Sequence, residues 1–150
     1  MRWRTKIVSS TTAGGGDVDE LSLGLLSLDH GRLFCNTNQG AVARLRTDDG
    51  RIDWLTTYPR AAFRGNDPDR AERHFFRDLN PCLLAKDWAI TAPADHARIF
   101  ALDQGTGMLA WQTPEGAAED AIHLLGAADN TRLADGDWLY WIDLSTGQLL

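Results

Sequence analysis

The sequence predicts an all-β chain of about three four-stranded antiparallel units, and three observations carry that prediction. First, Leu33–Trp54 (LFCNTNQGAVARLRTDDGRIDW) aligns without a gap on Ile90–Trp111 (ITAPADHARIFALDQGTGMLAW). Leu33 meets Ile90, Val42 meets Ile99, Leu45 meets Leu102, Gly50 meets Gly107 and Trp54 meets Trp111. Second, a further copy follows, in which Leu139–Gly147 (LYWIDLSTG) overlays Ile99–Gly107 (IFALDQGTG). Third, apolar residues alternate with polar ones in short runs parted by Gly-containing turns. That is the period-2 pattern of half-buried strands, not the longer period of helices.

Each unit has the same order of elements. An opening strand is expected around Leu21–Leu28, Pro81–Leu84 and Ala121–Leu125. In the first unit the second strand carries Leu33 and Cys35 and ends in the polar turn Asn36-Thr37-Asn38-Gln39-Gly40. The third carries Val42 and Leu45 and reverses at Asp48-Asp49-Gly50, where glycine supplies the positive φ that a tight hairpin needs. The fourth carries Trp54. Four strands in each of several consecutive repeats mark the blades of a propeller. The chain thus reads as a partial β-propeller of about three four-stranded antiparallel blades. It is one domain over residues 1–150, with units of about 1–57, 58–114 and 115–150.

Both ends read as cut through a blade. Trp3-Arg4-Thr5 matches Trp54-Leu55-Thr56 and Trp111-Gln112-Thr113, so it is expected to be an outer strand whose blade began earlier. The third copy reaches Leu150, one residue before its tryptophan is due. Closed propellers have about four to eight blades. Either remaining blades beyond this sequence or a second copy of the chain is therefore expected to close the ring.

Composition narrows the function classes. With 43% hydrophobic and 24% charged residues the chain falls among globular proteins. Its formal net charge of −6 argues against nucleic acid, whose phosphates are met by Lys and Arg. No run approaches the ~20 apolar residues of a membrane span, and no signal peptide follows the basic start Met1–Lys6. The four histidines lack metal-ligand spacing, and Cys35 and Cys82 form no C-x-x-C pair. Two buried free thiols are the expected state of those cysteines, the alternative being a disulfide if the fold brings them together. Gly14-Gly15-Gly16 lacks the Lys-Ser/Thr of a phosphate loop, and no catalytic motif is present.

The segment Ala101-Leu102-Asp103-Gln104-Gly105-Thr106-Gly107-Met108-Leu109-Ala110-Trp111 fits A-x-D-x-x-T-G-x-x-x-W at every specified position. In this it resembles the tryptophan-docking motif of the pyrroloquinoline quinone (PQQ) repeat, found in quinoprotein dehydrogenases and in many non-enzymatic propellers. The resemblance implies that Trp111 packs between adjacent blades while Asp103, Thr106 and Gly107 hold the turn by hydrogen bonds, with Ala101 among the docking residues. Trp3, Trp54, Asp143, Thr146 and Gly147 take the same structural roles in the other copies. The first copy departs from the pattern, with Arg44 for Ala, Arg46 for Asp and Asp49 for Thr, so looser docking is expected there. The third has Trp141 for Ala.

The intervals from Trp3 to Trp54 and from Trp54 to Trp111 are both longer than one blade requires. The excess in the second unit lies between Pro59 and Pro81. A loop with a short helix is expected near 60–80, with Asp67 as N-cap and Pro68 as first helical residue. In propellers this loop opens on the same face as the turns between second and third strands. His74, Arg77, Asp78, Asp95 and His96 are therefore the candidate binding face, the alternative being solvated loop residues. The resemblance also implies a function: a non-catalytic binding or scaffold module for protein or small-molecule ligand, as in envelope assembly lipoproteins, placing a full-length protein in the periplasm or cell envelope. No cofactor is expected on that reading. The alternative is a fragment of a quinone-dependent dehydrogenase, which would bring PQQ with Ca²⁺.

Overall fold

A computed structural model describes residues 2–8, 24–61, 77, 79–128 and 131–150, with the backbone alone at 131–135. The chain forms a partial β-propeller of successive antiparallel sheets. Strands β1 (Leu25–Asp29), β2 (Arg32–Asn36), β3 (Ala41–Arg46) and β4 (Ile52–Thr57) pair in chain order. Strands β5 (Leu83–Ala85), β6 (Trp88–Thr91), β7 (Phe100–Asp103) and β8 (Leu109–Gln112) do the same. The third sheet is β9 (His123–Ala128), β10 (Thr131–Asp135) and β11 (Leu139–Asp143). A bridge from Ile142 to Leu149 begins a fourth strand on the far edge of β11. No helix occurs among the described residues. The helical turns expected from Asp67 fall outside them.

Local chemistry explains the hairpins. His30 and Gly31, at φ 41° and 74°, make the two-residue link between β1 and β2, with both central residues positive as a type I′ turn requires. In both complete sheets the register between third and fourth strands slips just before the tryptophan. Arg44 opposes Trp54 while Leu45 opposes Ile52, and Ala101 opposes Trp111 while Leu102 opposes Leu109. The extra residue, Asp53 or Ala110, is a β-bulge, which increases local twist. It turns the outer strand so that the following indole leaves its own sheet and reaches the next.

The core lies between the sheets. Phe34, Val42 and Trp54 of the first sheet meet Cys82, Ala89, Phe100 and Leu102 of the second. Ile90, Ile99, Ala101 and Trp111 then meet Ala118, Ala121, Ile142 and Leu144. Burying each of the larger side chains contributes roughly 1.5–3 kcal/mol. The alanines let the sheets approach closely where the large residues leave room.

One contact recurs three times. The Nε1–H of Trp3 donates to Thr47 O at 2.9 Å, that of Trp54 to Gln104 O at 2.9 Å, and that of Trp111 to Leu144 O at 2.6 Å. Each acceptor lies shortly before a turn glycine of the following sheet: Gly50, Gly107 or Gly147. A Cβ at these glycines would lie 2.2, 2.6 and 2.5 Å from an indole carbon, so a side chain there would displace the ring. Thr5 and Thr56 hydroxyls add bonds of 2.5 Å to Gly50 O and Gly107 O.

The turns beneath the indoles share one frame. Gly107 N donates to Asp103 O at 2.8 Å, Gly147 N to Asp143 O at 2.9 Å and Gly50 N to Arg46 O at 3.0 Å. Asp103 Oδ1 accepts from the amide and hydroxyl of Thr106, and Asp143 Oδ1 from those of Ser145 and Thr146. These bonds hold both carboxyls below their ordinary range. In the divergent first copy, Asp49 Oδ1 accepts from Arg51 N (3.0 Å), as Thr106 Oγ1 accepts from Met108 N (3.3 Å). Arg46 pairs with Asp48 there, and Arg44 reaches Gln104 O, the acceptor that Trp54 also uses. Trp3, which covers this turn, is 37% exposed, against 9% for Trp54 and 6% for Trp111.

Candidate functional site

At one end of the sheets the β2–β3 turn, the segment after β4 and the β6–β7 loop meet around Asp95. Its carboxylate is buried and accepts three hydrogen bonds: from Gly40 N (2.9 Å), Tyr58 Oη (2.7 Å) and Arg60 Nε (2.9 Å). Burial, and next the adjacent Asp95 charge, push the Tyr58 phenol upward, so it stays a donor. Gly40 has φ +78°, and a Cβ there would stand 2.9 Å from Arg60 Cγ, so glycine is required by backbone and by space. Asn38 Oδ1 accepts from Ala94 N at 3.0 Å, tying the same two turns a second time.

His96 follows directly. Its Nδ1 lies 2.9 Å from Pro59 O, and because a carbonyl only accepts, Nδ1 carries the proton. The ring sits 5.5 Å from Tyr58 and 5.6 Å from Phe100, centroid to centroid. Burial lowers its pKa from 6.5, and the nearby Arg77 and Arg98 charges act in the same direction.

Arg77 is the other anchor. It is buried, and all its donors are engaged on backbone carbonyls. Nε bonds Ala121 O (2.9 Å), Nη1 bonds Pro93 O and His96 O (3.2 and 2.7 Å), and Nη2 bonds Ala97 O and Ala118 O (2.7 and 3.0 Å). Burial lowers its pKa to about 10, so the guanidinium is charged at neutral pH. It joins the β6–β7 loop to the segment that precedes β9. Asn80 works beside it, donating to Ile122 O at 2.9 Å and accepting from Leu124 N at 2.8 Å.

Of the five candidates, then, Arg77, Asp95 and His96 come together, and their hydrogen bonds run to neighbouring loops. His74 and Asp78 lie outside the described residues. Tyr58, Arg60 and Asn80 belong to the same network, and the repeat alignment gives no sign of them. The arrangement fixes the shape of a loop face. Its ionised groups are already partnered within the chain.

No family model matches the chain, and no curated protein matches it in sequence. Solved structures match it in fold. BamB from Moraxella catarrhalis superposes with a TM-score of 0.59 at 19% identity, over 83% of this chain and 34% of that one. The quinohemoprotein alcohol dehydrogenase ADHIIG of Pseudomonas putida HK5 gives 0.57 at 19% identity, over 83% and 19%. The computationally designed Ika4 protein gives 0.59 at 14% identity, over 98% and 78%. The chain therefore shares the β-propeller fold of these structures, and it spans about a third of BamB and about a fifth of the dehydrogenase.

Proposed function

We propose that the chain is one PQQ-like propeller segment of three repeats that serves as a non-catalytic binding or scaffold module for a protein or ligand. The observation that supports this most is the use made of Asp95 and Arg77. A buried carboxylate with three donors and a buried guanidinium with five acceptors stiffen a loop face rather than supply reactive groups. A preorganised surface binds at lower entropic cost. The tryptophan contacts act as the docking elements that set each sheet's angle to the next. The segment is proposed to present its partner-binding face at the Asn38, Asp95 and His96 turns.

The alternative is a segment of a quinone-dependent dehydrogenase. Quinone with Ca²⁺ needs converging oxygen donors. Among the described residues no three His, Cys, Asp or Glu side chains are grouped to hold a metal ion, and Asp95 is already shared by three donors. Ultraviolet-visible titration of the full-length protein with PQQ and Ca²⁺, followed by dye-linked alcohol oxidation, tests the choice. We expect neither a bound quinone spectrum nor turnover, and both together would overturn the scaffold reading.

A further inference from the structure

The first and second sheets meet through charged residues at positions where the second and third meet through apolar ones. Register fixes the equivalences. Arg46 and Asp103 open equivalent turns, and they pair with Arg32 and Trp88 respectively. Arg44 and Ala101 each oppose the docking tryptophan, and Asp53 and Ala110 are the two bulge residues. Where the second sheet has Trp88, Ala101 and Ala110, the first therefore has Arg32, Arg44 and Asp53. Ala101 is fully buried, and Trp88 packs against the core that faces the third sheet. Three positions on three strands differ together, and the three replacements meet.

Asp53 Oδ2 lies 2.9 Å from Arg32 Nε and 3.2 Å from Arg44 Nε. Both Nε atoms are buried, and neither makes a hydrogen bond among the described residues, since the shared oxygen is off the line of each N–H. One carboxylate faces two guanidiniums, which leaves one positive charge in excess. Arg44 Nη1 also donates to Gln104 O, beside the Trp54 indole. Next to the two guanidiniums opens a cavity of about 240 Å³, walled by Arg32, Arg44, Phe34 and Gln104, with Asp29 and His30 at its mouth. His30 Nδ1 lies 2.7 Å from Asp29 Oδ1, so the carboxylate at the mouth already has a partner. With Nε buried, the guanidiniums present their Nη groups to this space.

We propose that this cavity is a binding site for a small monocarboxylate, held by the Nη groups of Arg32 and Arg44. Charge, shape and size define the class. A guanidinium carries parallel N–H donors that match the two oxygens of a carboxylate. One excess positive charge suits one negative charge, whereas a phosphate group near −2 would be repelled more strongly by Asp29 and Asp53. The volume is below the roughly 300–1,000 Å³ of sites for drug-sized ligands, so only a few carbons fit beside the carboxylate. Phe34 gives those carbons an apolar wall. The site lies at the β1–β2 hairpin, at the opposite end of the first sheet from Gly40 and the Asp95 network, and is independent of the loop face.

The test is a titration of the isotope-labelled full chain with sodium butyrate, followed by nuclear magnetic resonance. Saturable shifts are expected at the Nε–H signals of Arg32 and Arg44 and at the amides of Phe34 and Gln104. Butyramide, similar in shape and uncharged, should produce none. Arg44→Ala installs the residue that the second sheet carries at this position, so signals from the third sheet should stay in place. It should weaken butyrate binding about tenfold or more, as loss of a charge-assisted pair does. Arg32→Gln, at a partly exposed side chain, should act in the same direction. Asp53→Asn removes the competing carboxylate and should strengthen binding. No saturable shift with butyrate would overturn the proposal, and so would an equal response to butyramide or unchanged affinity in both arginine variants. Tighter binding of inorganic phosphate than of butyrate would overturn the choice of a carboxylate.

Discussion

Replacing Gly107 by alanine separates two costs that the repeated turn imposes at one position. The first is backbone. Gly107 has φ +74°, and an L-residue in that region costs roughly 1–2 kcal/mol. The second is steric. The added methyl would lie 2.6 and 2.7 Å from Trp54 Cδ2 and Cε3, and 2.9 Å from Thr56 Oγ1. To relieve the clash the indole must lift, straining its bond to Gln104 O and opening the buried contact with Phe34, 6.1 Å away centroid to centroid. Overpacking of this kind costs about 1–3 kcal/mol, so the total is roughly 2–5 kcal/mol. Gly116→Ala is the matched control: φ is +78°, but no atom lies within 4 Å of the added methyl, so the backbone cost stands alone. Urea unfolding monitored by tryptophan fluorescence measures both, as midpoint shifts at constant m. Gly107→Ala should exceed Gly116→Ala by at least about 1 kcal/mol. Equal losses would refute the claim that the glycine is required by the indole above it.

Two further outcomes follow from the loop network. Arg77→Leu removes the donor from five carbonyls and should cost about 3–5 kcal/mol in the same assay, as breaking a buried charged cluster does. Arg77→Lys, with three donors on one atom, should recover less than half, and a loss below about 1 kcal/mol for the leucine variant would contradict a bracing role. His96 gives a pH dependence. Its folded pKa lies below the unfolded value near 6.5, so the unfolded chain binds more protons between the two. Its contribution is therefore present above about pH 6.5 and is lost as pH falls through that window toward the folded pKa. His96→Gln should be less sensitive than wild type between about pH 7 and 5, and parallel profiles would remove His96 from the account.

Much of this architecture is legible from the repeat. The runs at Leu33–Cys35, Val42–Leu45 and Trp54 fall in β2, β3 and β4, because alternation of burial along a strand is written directly in the residues. Glycines 50, 107 and 147, aligned by sequence, share φ values between 71° and 74°. The first copy is harder. Arg46, Asp48 and Asp49 resemble a degraded turn, yet together they rebuild its hydrogen bonds from different atoms, a substitution that no alignment of single positions displays. The candidate face is legible in location and not in chemistry. In sequence Asp95 and Arg77 read as binding-face candidates or as solvated loop residues, not as buried groups. Their burial depends on carbonyls and a tyrosine brought from distant segments of the chain. Sequence spacing records none of those meetings.

The tryptophan that joins each sheet to the next has a consequence for how strain and motion travel. Every indole reaches forward by one sheet only, so coupling is between nearest neighbours, as in a one-dimensional chain of units. A disturbance in the first sheet reaches the third by way of the second, through Trp54, Trp111 and the cores that they join. The middle sheet, held from both sides, is the natural nucleus of cooperativity, and the outer sheets depend on what stands beyond them. Order along this protein is a property of adjacency: each sheet is as rigid as its neighbours make it.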